Sequence, residues 1–161
     1  MRVIVTGSRN WTGQWGIDKI YEVLDATLDL ANAMGQGYEL IHGACPTGAD
    51  EIANSWVEAL GADQDVVMLT TWPADWDLYG KAAGPVRNEQ MMAAGGDLCV
   101  AFLRNNSSGT LDAIGKARRR GIWTVVIPYL GPGEMIELPR RVPGGLMKVV
   151  KDDGTSELRA A

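Results

Sequence analysis

Cysteine is nearly absent: Cys45 and Cys99 stand far apart, with neither a CxxC pair nor a histidine-rich companion. A disulfide framework is therefore excluded and no zinc site is signalled, so both are read as small reduced side chains. An excess of cations is missing too. With 15 Lys and Arg against 20 Asp and Glu, the net charge is −5, which argues against coating nucleic acid by bulk electrostatics but leaves room for a local basic pocket. No apolar run approaches the roughly 20 residues of a membrane helix. The opening MRVIVTGSR enters a strand rather than the apolar stretch of a signal peptide, and the expected location is the cytoplasm. The single histidine, His42, has no Ser or Cys nucleophile with a matching acid around it, so no catalytic triad is indicated. It is read as a packed strand-end residue. No metal-ligand set is recognisable and no cofactor is expected, although Mg²⁺ arriving with a phosphate ligand stays open.

What is present is a 46% hydrophobic chain of 161 residues, enough for one core covered on both faces. Short β-branched and apolar runs at Arg2 to Thr6, Glu39 to His42, Asp65 to Leu69, Asp97 to Leu103 and Ile122 to Ile127 read as buried strands. Between them lie helical periods. Ile17, Ile20, Tyr21, Leu24, Leu28 and Ala31 define one, Ala49, Ile52, Ala53, Trp56, Val57 and Leu60 a second, and Ser108 to Arg120 another. Thr70 to Gly84 shows no clear period and is expected to be an ordered loop leading to a helix from about Pro85. The β-α alternation predicts an α/β fold, Rossmann-like, with a mostly parallel sheet and helices on both faces. Ligands of such sheets lie beyond the carboxyl ends of the strands, where each glycine-rich loop falls. One such domain is expected over 1–128. The Pro/Gly-rich stretch 129–161 reads as an extension, with a hairpin through Asp152-Asp153-Gly154.

Four loops carry candidate chemistry. Gly7-Ser8-Arg9 offers open backbone, a hydroxyl and a guanidinium to an anion, yet completes neither a GxGxxG nor a GxxxxGK[ST] motif. Gly43 to Gly48 leads into a helix whose first turn holds Asp50, as either a dipole-stabilised carboxylate or a partner for a ribose hydroxyl. Lys81, Arg87 and Asn88 flank a Gly-Pro helix entry, and a first-turn arginine opposed to the helix dipole suggests that Arg87 is there for what it contacts, or for a salt bridge. Its replacement by alanine is expected to abolish binding of a phosphate ligand without unfolding the chain. Trp72, Trp76 and Tyr79 could stack on a base or pack in the core. Ser107, Ser108, Gly109, Thr110 and Asp112, preceded by Asn105 and Asn106, again present amides and hydroxyls at a helix start. The run Lys116, Arg118, Arg119 and Arg120 is expected to be a solvated helix end.

The segments VTGSRNW, HGACPTGAD, WPADWDLYGKAAGPVRNEQM and SSGTLDAIGKARRRGI, in that order, resemble the YspA-type, cpYpsA-related branch of the SLOG superfamily over roughly residues 1–128. The resemblance implies a Rossmann-like fold that binds nucleotides or their derivatives. It puts the pocket at Gly7, Ser8, Arg9, Gly43, Gly48, Asp50, Arg87, Asn88, Gly109 and Thr110, to which the residues themselves add Lys81 and Ser108. The expected ligand is a nucleoside monophosphate or an ADP-ribose-like compound. LOG-type phosphoribohydrolases are similar in their Gly-Thr loop, but their catalytic glutamate falls on Ala113 here, leaving Asp112 or Asp50 as candidate acids for cleaving an N-glycosidic bond. DNA-processing protein A is similar in its G-S-R, R-N and S-G-T segments, which would imply single-stranded DNA as partner. A homodimer is the expected assembly.

Overall fold

The computed structural model describes residues 1–61, 66–131, 146–150 and 156–160. Five apolar runs form strands: β1 (Arg2–Gly7), β2 (Tyr38–His42), β3 (Val67–Thr71), β4 (Leu98–Leu103) and β5 (Trp123–Pro128). Each parallel neighbour is reached through a helical crossover, as parallel pairing requires. The crossovers are α1 (Gly13–Ala33), α2 (Ala49–Ala59), α3 (Trp76–Tyr79) followed by a 3₁₀ turn (Gly80–Ala82) and α4 (Ala83–Ala93), and α5 (Ser108–Arg119). All four pairings are parallel and the strand order is β3-β2-β1-β4-β5, a Rossmann-like α/β sheet. The order reverses between β1 and β4. That is the switch point at which loops from opposite halves of the sheet part and leave a crevice.

Alternation along the central strands divides the core into two layers. Val3, Val5, Leu40, Val100 and Phe102 face one side, where Ile20, Leu24, Ala53 and Trp56 of α1 and α2 cover them. Ile4, Ile41 and Cys99 face the other, under Met91 and Met92 of α4 and Ala113 and Ala117 of α5. Cys99 is buried, and desolvation pushes its thiol up to about 12. Both cysteines are free thiols.

Several boundaries move from the sequence reading. Helix α1 starts at Gly13, four residues before the first apolar position of its period, because Trp11 is fully buried and donates from Nε1 to the Gly16 carbonyl at 3.0 Å. Thr70 and Thr71 extend β3, pairing with Ile41 and His42. The expected loop also contains α3, whose N-cap Asp75 accepts the Leu78 amide at 2.9 Å. Helix α4 begins at Ala83, so Arg87 lies past the first turn. The chain divides into two compact units, Met1–Gly131 and Pro132–Ala161. In the second, β6 (Leu146–Val150) and β7 (Ser156–Ala160) pair antiparallel. The expected hairpin turn at Asp152-Asp153-Gly154 and the expected strand start at Asp65 lie outside the described residues. Among the described residues no helix is long and apolar enough to cross a membrane.

Candidate functional site

A cavity of about 630 Å³ opens at the switch point, within the size range of small-molecule sites. Its walls come from the ends of β1 and β4, the starts of α2 and α5, and the segment from α3 into α4. The loops after β1 and β4 are pinned together by one buried side chain: Ser8 Oγ accepts the Arg104 amide at 2.8 Å and donates to the Arg104 carbonyl at 3.2 Å. Trp11, in edge-to-face contact with Phe102 and Tyr129, closes the first loop from behind. Arg9 is thereby presented to the cavity, its guanidinium 5.6 Å over the Trp76 ring and without a hydrogen bond or ion pair among the described residues.

Helix α5 supplies the opposite wall. Asn105 and Asn106 adopt left-handed conformations (φ 51° and 49°), which asparagine tolerates, and turn the chain into the helix. Ser107 occupies the N-cap without making a side-chain cap. The amides of Ser108, Gly109 and Thr110 consequently have no hydrogen-bond acceptor among the described residues, while that of Leu111 is bound to the Ser107 carbonyl. Three unpaired donors at the positive end of a helix form a ready cradle for an anion. Asp112 also lines the cavity; its Oδ2 accepts from Asn88 Nδ2 at 3.0 Å and from Lys116 Nζ at 2.7 Å. Ala113, the next residue, is fully buried in the core.

The expected site residues are therefore separated by the fold. Gly7, Arg9, Asp50, Lys81, Arg87, Asn88, Ser108, Gly109, Thr110 and Asp112 line the cavity; Ser8, Gly43 and Gly48 do not. Ser8 is spent on joining two loops. Gly48, at φ 77°, passes so close to the first loop that a Cβ there would lie 2.6 Å from Arg9 Cα and overlap the Ser8 carbonyl. Gly43 makes room for Arg87, whose guanidinium would be struck by any Cβ at that position.

Arg87 itself is mainly occupied by protein groups. Its Nη1 donates to the carbonyls of Gly43 and, at 3.2 Å, of Trp72, and its Nε donates to Asn88 Oδ1 at 3.0 Å. The same Nη1 lies 3.9 Å from Asp50 Oδ2. Asp50 is buried and accepts the Cys45 amide at 3.1 Å. Burial raises its pKa, against the opposing pull of Arg87 and of the Cys45 and Gly43 amides. Lys116 also departs from expectation. Far from being solvated, its ammonium donates to the Pro85 carbonyl at 2.8 Å as well as to Asp112, tying α5 to α4. Beyond the site residues expected from sequence, the lining includes Thr6, Asn10, Cys45, Trp76 and Arg104, with Gly84, Pro85, Asn105 and Ser107 of the segments already described. The aromatic reading had included Trp76, whereas Arg104 carried no local signal.

His42 is buried, its Nδ1 accepting the Ala44 amide at 3.1 Å while Nε2 has no partner among the described residues. Burial, then the Arg87 charge, lowers its pKa to about 4. The unfolded chain takes up this proton near pH 6.5, so His42 contributes stability above that pH and loses it as the pH falls toward 4. Over that window the loss is about 3 kcal/mol. Urea unfolding at pH 7 and pH 4.5 should show a drop that shrinks in His42→Asn, which keeps an acceptor but cannot titrate. Comparing variants separates this from Asp50, whose raised pKa acts with the opposite sign. An equal drop in both proteins would exclude His42 as the source.

The family model described as the YspA, cpYpsA-related SLOG family matches residues 1–79. A protein of Mycobacterium phage D29, Gene 61 protein, is 36% identical over 121 residues, covering 75% of this chain and 91% of that protein. No solved structure matches the chain.

Proposed function

Because the chain belongs to the YspA, cpYpsA-related SLOG family, we propose that its switch-point cavity binds a nucleotide-derived phosphate ligand, such as a nucleoside monophosphate or an ADP-ribose-like compound. One observation carries the reading: the unpaired amides of Ser108, Gly109 and Thr110 open into a cavity that Arg9 and Lys81 also line. A phosphate seated at those amides gains charge-assisted hydrogen bonds and the favourable field of the helix end. Arg9 and Lys81 both line the cavity without a hydrogen bond or ion pair among the described residues, so either can pair with the phosphate without giving one up. The binding role needs only these preorganised donors, with Asp50, Arg87 and Asn88 holding the walls in place.

A second reading, cleavage of an N-glycosidic bond, rests on Asp112. The alanine at the position of the LOG-type glutamate is buried, and the carboxylate beside it lines the cavity. In this reading Asp112 polarises the attacking water, while the phosphate held at α5 fixes the sugar.

Melting curves with nucleoside mono-, di- and triphosphates, ADP-ribose, NAD and a short single-stranded oligonucleotide test both readings. A ligand bound to the native state raises the melting temperature. At least one small nucleotide compound should do so, and Arg9→Ala should weaken it about tenfold or more. Because Arg9 is exposed, the melting temperature of the unliganded variant should hold. Free base released from the bound compound would establish the hydrolytic reading. Stabilisation by the oligonucleotide alone, or by nothing, would overturn the proposal.

A further inference from the structure

Trp76 is a large apolar side chain left 51% exposed, at the start of a four-residue helix. Ordinary core packing does not account for it. One edge of its ring lies by Gly84, where an added Cβ would be 3.9 Å from the indole Cη2, while about half of the residue stays open. Asp75 fixes the segment in place by capping it through the Leu78 amide. The chain thus holds a half-exposed indole in the lining of the cavity, with the Arg9 guanidinium 5.6 Å from the ring centre.

Resting on the proposed phosphate site, we infer that Trp76 is the platform on which the base of the ligand stacks, and that the base takes the place Arg9 holds on the indole. The displaced guanidinium then turns to the phosphate at the α5 amides. One residue thereby serves as placeholder in the empty site and as phosphate ligand in the filled one. The ligand class is narrowed accordingly. A sugar phosphate without a base satisfies the anion cradle but leaves the indole bare, so a base-bearing phosphate is preferred. Every base has a π-face, so stacking alone favours nucleotides as a class over sugar phosphates.

Calorimetric titration with ribose 5-phosphate and with the 5′-monophosphates of adenosine, guanosine, cytidine and uridine decides the point on the full-length protein. At least one nucleotide should bind about tenfold or more tightly than ribose 5-phosphate, a margin typical of stacking on an aromatic side chain. Trp76→Ala should erase that margin while leaving ribose 5-phosphate affinity unchanged, and Trp76→Phe should keep most of it. The residue is half exposed, so the alanine variant should fold; its unliganded melting curve provides the control. If ribose 5-phosphate binds as tightly as every nucleotide, or if Trp76→Ala leaves the margin intact, the stacking role is wrong and the phosphate site stands. If none of the five compounds binds, the stacking of a monophosphate's base on Trp76 is overturned, and the phosphate site falls with it only if ADP-ribose, NAD and the di- and triphosphates also leave the melting temperature unchanged.

Discussion

Replacing Arg87 with alanine is expected to lower the stability of the chain by about 3 kcal/mol at neutral pH, because it strips the partner from a buried carboxylate. Asp50 has a side chain only 7% exposed and stands opposite an arginine side chain exposed by 14%. Loss of the guanidinium also leaves the carbonyls of Gly43 and Trp72 without their donor. For a chain of this size the melting temperature should fall by roughly 10 °C. Adding Asp50→Asn to Arg87→Ala should recover part of the loss, since the stranded charge is then removed, and a double-mutant cycle measures the coupling. Lysine at 87 should rescue poorly, as an ammonium cannot reproduce the fork that reaches two carbonyls and an amide. The sequence alone suggests either a salt bridge or a phosphate ligand, and the loss of a phosphate ligand would spare the fold. If Arg87→Ala melts like the parent and loses only binding, that simpler role is correct and the buried staple is not.

Gly48→Ala is expected to be more damaging still, at about 4 kcal/mol, from the sum of a strained backbone and two backbones forced apart. Gly48 sits at φ 77° and ψ −142°, a conformation that a Cβ opposes even in open space. Here the space is not open, for the new atom would lie 2.6 Å from Arg9 Cα and 2.8 Å from the Arg9 carbonyl carbon. Gly35 provides the comparison: it has φ 65°, and nothing lies within 4 Å of an added Cβ. Gly35→Ala should therefore cost only the torsional share, about 1 kcal/mol. Urea unfolding of the two variants side by side tests the close approach directly. Equal destabilisation would mean that the loops after β1 and β2 do not meet as described.

The fold was largely legible because its signals are local. Continuous β-branched runs and intervening helical periods specify strands and crossovers without reference to the rest of the chain. What was misplaced is equally local in cause. Four residues are too few to show a period, so α3 was hidden, although Asp75 three residues before Leu78 offered a capping signal. Thr70 and Thr71 are β-branched enough to continue a strand, but the aromatic and proline residues after them masked it. The site was legible as a set of loops and less so as a set of roles. Ser8, Arg9 and Arg87 share a polar or cationic character that suits phosphate equally well. Their assignments depend on neighbours 44 to 96 positions away: Arg104 for Ser8, Trp76 for Arg9, and Gly43 for Arg87. Nothing in the spelling of a glycine-rich loop reveals which of its members will face inward.

The reversal of strand order at β1 bears on how the protein is made. A nascent chain that has emerged only through Gly96 contains three strands and the helices α1 to α4. It already carries Arg9, Asp50, Trp76 and Arg87, but β1 has as yet no neighbour on its β4 side. Neither the Arg104 backbone that secures Ser8 nor the α5 amides have yet emerged. The first half of the cavity thus waits for the second, and ligand cannot act as a template for early folding. Binding competence should arise only late in synthesis, when α5 has left the ribosome and β4 has closed against β1.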